Sequence, residues 1–168
     1  MYVTENMEKD MDKYLKKNNI NKNIIHSLIS EIQELIYKKL YILKYVNIDI
    51  LFGIDDSDVG MLQPKNTCTV IYGTSYPVSI EVEIYIMSIL LREKSFNLFL
   101  DTIVNTTIHE LRHIYQYENN FKMSYVEKYD DRPQEIDAIN YTNKFIKNNK
   151  KEINDIINNN IKQTNNCK

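Results

Sequence analysis

The sequence predicts an α+β fold: a small, mainly antiparallel sheet, then a long motif-bearing helix, then further carboxy-terminal helices. Three observations predict it. All three Gly (Gly53, Gly60, Gly73) and two of three Pro (Pro64, Pro77) lie between residues 53 and 77, so turn chemistry is concentrated in one central section. Within 45–86 the apolar residues alternate with the period of two expected of strands. On both sides of that section they recur at the i, i+3, i+4 spacing of amphipathic helices. The chain of 168 residues is 43% hydrophobic and 26% charged, which places all of 1–168 in one domain with a sizeable core.

The amino-terminal helices are expected over 4–43. Residues 4–17 form a short helix or arm. Residues 21–43 carry Ile24, Ile25, Leu28, Ile29, Ile32, Leu35, Ile36, Leu40 and Leu43 along one helical stripe. His26, alone on that helix, reads as a surface or hydrogen-bond-satisfied residue and not as a ligand. The sheet is expected over 45–86. Val46, Ile48, Ile50 and Phe52 alternate with Asn47, Asp49 and Leu51, and residues 67–73 are rich in Thr, Val, Ile and Tyr. In 79–86, Ile80, Val82, Ile84 and Ile86 alternate against Ser79, Glu81, Glu83 and Tyr85, which reads as a strand with one wet face. The short spacing of these runs predicts antiparallel pairing.

The next helix is expected over 95–117. Phe96, Phe99, Leu100, Ile103, Val104, Ile108, Leu111, Ile114 and Tyr115 share a stripe, no Gly or Pro interrupts it, and Ser95 is placed to cap its first turn. A further helix over 132–149 is signalled by Asp131 as N-cap and Pro133 in the first turn. Ile153, Ile156, Ile157 and Ile161 predict one more helix, and the tail after 161 is expected to be disordered.

The chemistry is concentrated in His109-Glu110-Leu111-Arg112-His113, an H-E-x-x-H string inside the 95–117 helix. Residues four apart on a helix stand on the same face, so the two imidazoles can grip one metal ion. Glu110, beside the first of them, is then close enough to take a proton from a water that the ion acidifies. A catalytic zinc takes three protein ligands and leaves one position open. Gln116 and Asn119 stand where the extended motif would need Gly and His, so the third ligand is an acid further on: Glu118, Glu127, Asp130, Asp131, Glu135 or Asp137. Helical geometry favours Glu135, which shares a face with Ala138, Ile139, Thr142, Phe145 and Ile146. A carboxylate on an apolar stripe is desolvated and needs a cation. Asp137 falls on a more polar face with Tyr141, Lys144 and Asn148. Its expected part is to orient a His ring nitrogen or to pair with Arg132.

The combination HELRH…RPQEIDA resembles the zincin metallopeptidases, and more narrowly the small single-domain gluzincin-like ones of bacteria, archaea and phages. The resemblance covers roughly residues 78–147. It implies a zincin-like fold in which a small sheet precedes the motif helix and a Glu on a following helix completes a zinc site. It further implies His109, His113 and Glu135 as ligands of Zn2+ and Glu110 as general base in peptide-bond hydrolysis. Two positions depart from the pattern. Arg112 occupies a place that is usually uncharged, and Ile139 stands where larger gluzincins carry an Asp or similar group four residues past the ligand Glu. The donor that would stabilise an oxyanion is a Tyr or Arg132; Tyr115 and Tyr129 are candidates, with Tyr117, Tyr125 and Tyr141 also near in sequence. A peptide or protein substrate would lie as an extra strand along an exposed sheet edge, with strand 79–86 as the expected edge. The alternative is a domain that binds metal without cleaving, acting as a regulatory or protein-interaction module.

Other classes find no support in the residues. A net charge of −2 without a basic block gives no electrostatic case for nucleic acid or an anionic membrane. The opening MYVTENMEKDMDKYL is polar, and no apolar run approaches the roughly 20 residues a bilayer span needs, so a cytoplasmic protein is expected. Cys68 and Cys167 read as free thiols. No phosphate-binding Gly loop, dinucleotide fingerprint or nucleophile motif offers another chemistry.

Overall fold

A computed structural model of the chain describes residues 5–40, 45–52, 73–76, 79–93 and 95–163. Helix α1 (Glu5–Lys17) leads into α2 (Lys22–Leu40) through a tight corner. Asn19 takes a left-handed φ of 54°, the Ile20 amide reaches the Leu15 carbonyl at 2.9 Å, and the Asn19 amide reaches that of Lys16 at 3.1 Å. That is the helix-ending motif in which Asn serves as well as Gly, and the buried Leu15 and Ile20 close it. The stripe read from the sequence on α2 is the buried one, from Ile24 to Leu40; residues 41–44, with Leu43, lie outside the described residues.

The sheet has three described strands, β1 (Asn47–Leu51), β2 (Gly73–Tyr76) and β3 (Glu81–Tyr85), in the order β1-β3-β2. It corrects the expectation of a mainly antiparallel sheet. β3 pairs antiparallel with β2 but parallel with β1. The physical reason lies in the connections. Residues 77–80 are short enough only for a hairpin, whereas the whole of 52–72 separates β1 from β2, and a connection of that length permits a parallel crossover. The order also corrects the expected substrate edge, because β3 is the central strand and β2 is an edge among the described strands. The strand-like run 67–72, both Cys, Gly53, Gly60, Pro64 and Pro77 lie outside the described residues.

β3 is shorter and drier than its alternation predicts. Ile80 precedes it at a left-handed φ of 62°, and Ile86 already begins helix α3 (Ile86–Arg92). Val82 and Ile84 are fully buried as expected, but Tyr85, on the opposite face, is buried too. Its hydroxyl donates to Glu83 at 2.6 Å, which lets a phenol sit inside.

Helix α4 (Phe96–Glu118) carries the motif and runs through the centre of the molecule, packed against α2, β2, β3 and α5 (Pro133–Asn148). Ser95 caps it as predicted, its hydroxyl accepting from the Leu98 amide at 3.3 Å. Its far end repeats the α1 motif: Asn120 has φ 53°, with Phe121 N to Gln116 O at 2.8 Å and Asn120 N to Tyr117 O at 3.2 Å. α6 (Lys150–Gln163) returns across α2, where Asn160 donates to Glu31 at 2.8 Å. It runs two residues past the expected start of the tail; residues 164–168 lie outside the described residues. One apolar cluster from Met11 to Ile153 joins the six helices and β3, with Ile48 and Ile50 of β1 packed against it. The fold is therefore α+β, mostly helical with a small sheet. No described helix is long and apolar enough to cross a membrane.

Candidate metal centre

α4 and α5 cross where their polar positions meet. On α4, Phe99, Leu100, Ile103, Val104, Ile108, Leu111 and Ile114 bury the stripe and hold His109 and His113 at its margin, one turn apart. The rings stand edge to face, 4.8 Å between centroids. α5 starts at Pro133, whose missing amide costs nothing at a first helical position. Glu135 follows in the first turn, with Ala138, Thr142 and Phe145 buried along the same stripe. Two details of that start differ from expectation. Arg132, not Asp131, is the N-cap, because Tyr129–Asp131 form a short 3-10 turn, and Ile139 is 44% exposed rather than part of the buried face.

The predicted ligands converge. His109 Nε2 and His113 Nε2 are 3.1 Å apart, and each lies 3.3 Å from Glu135 Oε2. Four-coordinate zinc with N and O donors at about 2.0–2.1 Å sets its donors roughly 3.3 Å apart, so this triangle has the size of one face of such a tetrahedron. The donor chemistry agrees. Three lone pairs aimed at one point repel unless positive charge lies between them, and two neutral imidazoles with one carboxylate are a set that Zn2+ accepts. Of the described His, Cys, Asp and Glu, this group could hold a metal ion. Burial pushes the Glu135 carboxyl up, but hydrogen bonds from His109, His113 and Tyr129 and the charge of His113 outweigh it and hold it well below the ordinary range. Burial pulls His113 down, yet Glu135 and Glu110 around it leave its affinity for a proton raised.

Glu110 packs against the sheet, its Cγ beneath Gly73 of β2. It is buried, and burial raises its pKa, opposed by the charges of His109 and His113 and by a hydrogen bond from Ser75. Ser75 sits on β2 facing α4. Gly73, two residues earlier, is what allows that approach. A Cβ there would lie 2.7 Å from Thr106 Cγ2, 2.9 Å from the Glu83 carbonyl oxygen and 3.1 Å from Glu110 Cγ. Gly73→Ala is therefore expected to destabilise the fold by about 1–3 kcal/mol through overpacking, because a backbone oxygen cannot yield as a side-chain tip can. Urea denaturation checks it; unchanged stability would mean that β2 is not pressed on α4 at this point.

Behind His113 lies an arrangement the sequence reading missed. Gln116 is 1% exposed, and its Oε1 lies 2.8 Å from His113 Nδ1. Its Nε2 donates to the Gln134 carbonyl at 2.9 Å and to Asp137 Oδ2 at 2.7 Å. Asp137 also receives Arg112, whose Nε and second guanidinium nitrogen reach its two oxygens at 2.8 and 3.2 Å. Asp137 thus pairs with Arg112, not with Arg132 as one expectation had it. Burial raises its pKa, but the hydrogen bonds from Arg112 and Gln116 hold it below the ordinary range. The Arg112 guanidinium is flanked by the Tyr115 and Tyr141 rings at 4.6 and 4.5 Å. This accounts for the charged residue inside the motif: it pairs with Asp137 on α5 and is not part of the His109–His113–Glu135 group.

The remaining candidates divide. Tyr129 is at the site; its hydroxyl hydrogen-bonds Glu135, and burial with that contact raises its pKa strongly. Tyr115 belongs to the Arg112 stack. Arg132 lies against the Tyr125 and Tyr129 rings at 5.8 and 5.5 Å and donates to the Glu127 carbonyl at 3.3 Å. Glu118, Glu127, Asp130 and Asp131 are not in the cluster. Gln116 had a signal in the sequence, three residues past His113 on one helix face. Gly73 and Ser75 had none, because their role depends on strand order.

Residues 85–152 match the profile of a family described as "Protein of unknown function (DUF3920)". The match covers fewer than half of the residues, but it includes Glu110, His109, His113, Gln116, Tyr129, Glu135 and Asp137, and it leaves out β1 and β2. No curated protein and no solved structure matches the chain at a significant level.

Proposed function

We propose that the protein is a zinc-dependent metallopeptidase of zincin-like design, with His109, His113 and Glu135 as ligands and Glu110 as general base. The observation that carries the reading is the 3.1–3.3 Å triangle of ligand atoms with a buried carboxylate next to it. Bound zinc would supply Lewis acidity, acidifying a water and polarising the scissile carbonyl. The chain does the rest. Glu110, held by Ser75, accepts the proton of the attacking water and returns it to the leaving nitrogen. A carboxyl with raised proton affinity suits that exchange better than an ordinary exposed one. Tyr129, half exposed on the turn before α5, would turn its hydroxyl from Glu135 to donate to a developing oxyanion.

An extended peptide would add to β2, which is an edge among the described strands and lies against Glu110. Recognition of that kind reads backbone more than side chain. A domain that only held metal would have no use for a buried Glu110 that is not a ligand, and this favours hydrolysis over the regulatory alternative.

Metal content by mass spectrometry, parent beside His113→Ala, tests the centre first. The expected result is near one zinc per parent chain and loss in the variant, followed by cleavage in a screen of unfolded protein substrates. No metal in the parent after incubation with zinc ends the reading. Zinc without cleavage of any substrate would favour the non-cleaving module.

A further inference from the structure

We infer that Gln116 is a positioning residue for the metal centre, anchored by the Asp137–Arg112 pair, and that it fixes which nitrogen of His113 is offered to a cation. The inference rests on the metal-site reading and adds to it a dependence on residues that are not ligands.

The argument is one of donor accounting. A primary amide has one acceptor oxygen and one nitrogen carrying two hydrogens. Gln116 Nε2 faces two groups that can only accept, the Gln134 carbonyl at 2.9 Å and the Asp137 carboxylate at 2.7 Å. Both of its hydrogens are therefore committed, and the amide cannot be turned over without setting oxygen against oxygen twice. Its Oε1 then meets His113 Nδ1 at 2.8 Å as an acceptor, so Nδ1 must carry a hydrogen. In the neutral ring that leaves Nε2 with a free lone pair, and Nε2 is the atom 3.1 and 3.3 Å from the other two donors. The network thus selects the tautomer and the ring orientation that a metal needs.

Asp137 stands two residues past Glu135 in α5, and its other partner, Arg112, is on α4. The same chain of contacts therefore locks the two ligand-bearing helices together. It also gives a place to the missing acid at Ile139. The carboxylate support comes from position 137 instead, one amide removed from the imidazole.

The test is zinc affinity of the purified full chain, measured by competition with a chromogenic chelator, for the parent, Gln116→Leu, Asp137→Asn and the double variant. Zn2+ alone is the probe. Gln116→Leu is expected to bind about 10–100-fold more weakly, the usual loss for a residue that orients a ligand. Because Asp137 acts on the metal through Gln116, the double variant should lose no more than Gln116→Leu alone. A purely structural role would instead lower stability and leave affinity additive. Nitrogen-15 NMR of the zinc-free parent, at a pH where the His113 ring is neutral, supplies a reading free of any variant: the protonated nitrogen of His113 should be Nδ1. Parent affinity in Gln116→Leu, or a proton on Nε2, overturns the inference while leaving the metal centre standing. A parent that takes no zinc removes both. If Gln116→Leu does not fold, Asp137→Asn and the NMR assignment decide.

Discussion

Glu110→Gln should leave zinc binding at the parent level and lower peptide hydrolysis by about 100- to 10,000-fold, the range that general-base catalysis supplies. The side chain keeps its size, so the close packing of Glu110 Cγ beneath Gly73 is preserved. It loses the ability to accept a proton, while Ser75 can still donate to the amide oxygen. Neither His109 nor His113 changes. The variant carries no charge to be desolvated at a buried position, so its melting temperature should equal or exceed that of the parent. Zinc stoichiometry, turnover and melting temperature measured on one preparation separate the cases. Turnover within a few-fold of the parent would remove Glu110 as the base, and loss of zinc would mean that Glu110 is a ligand.

Glu135→Ala should weaken zinc binding by more than 100-fold, exceeding the loss expected for Gln116→Leu, because a ligand is removed instead of merely reoriented. The carboxylate is the one anionic donor of the triangle. It lies 3.3 Å from both imidazoles and accepts from Tyr129. Without it, two neutral nitrogens 3.1 Å apart would have to hold a dication with no compensating charge. Glu135→Gln keeps the shape and one oxygen donor, so a smaller loss than for Ala is expected, and the gap between the two variants isolates geometry from charge. Competition with a chelator reads both. Parent affinity in Glu135→Ala would move the third ligand elsewhere among the downstream acids.

The elements that the sequence reading located well are those whose signal is local. α2 and α4 were legible because their stripes match one period over five or six turns, and the Ser95 cap because a single hydroxyl decides it. The His109, His113 and Glu135 group, which could hold a metal ion, is legible for a related reason. Two sit on one helix at fixed spacing, and the third stands out as an acid on an apolar face. The sheet was less legible. Alternation identified β1 and β3 as strands, but the hydrogen-bond direction between them depends on the path of residues 52–72, which no local pattern encodes. β3 was mistaken for an edge because a wet face was inferred from Glu81 and Glu83, and Tyr85 closes part of that face.

Asp137 shows the boundary most clearly. The sequence puts it on a polar helical face and offers Arg132 as one partner, whereas its partners in the structure are Arg112 and the Gln116 amide that stands between it and His113. Local spacing fixes which residues share a face of one helix; it does not fix which face of the next helix meets it. By itself the sequence determined the α+β class, the long helices and a His–His–Glu donor set, since backbone periodicity and residue chemistry suffice for these. The tertiary structure alone decided the sheet order, the β2 approach to Glu110 that Gly73 permits, and the Arg112–Asp137–Gln116 path to His113. Each of these joins residues distant in the chain, and such contacts are selected by the packing of whole elements.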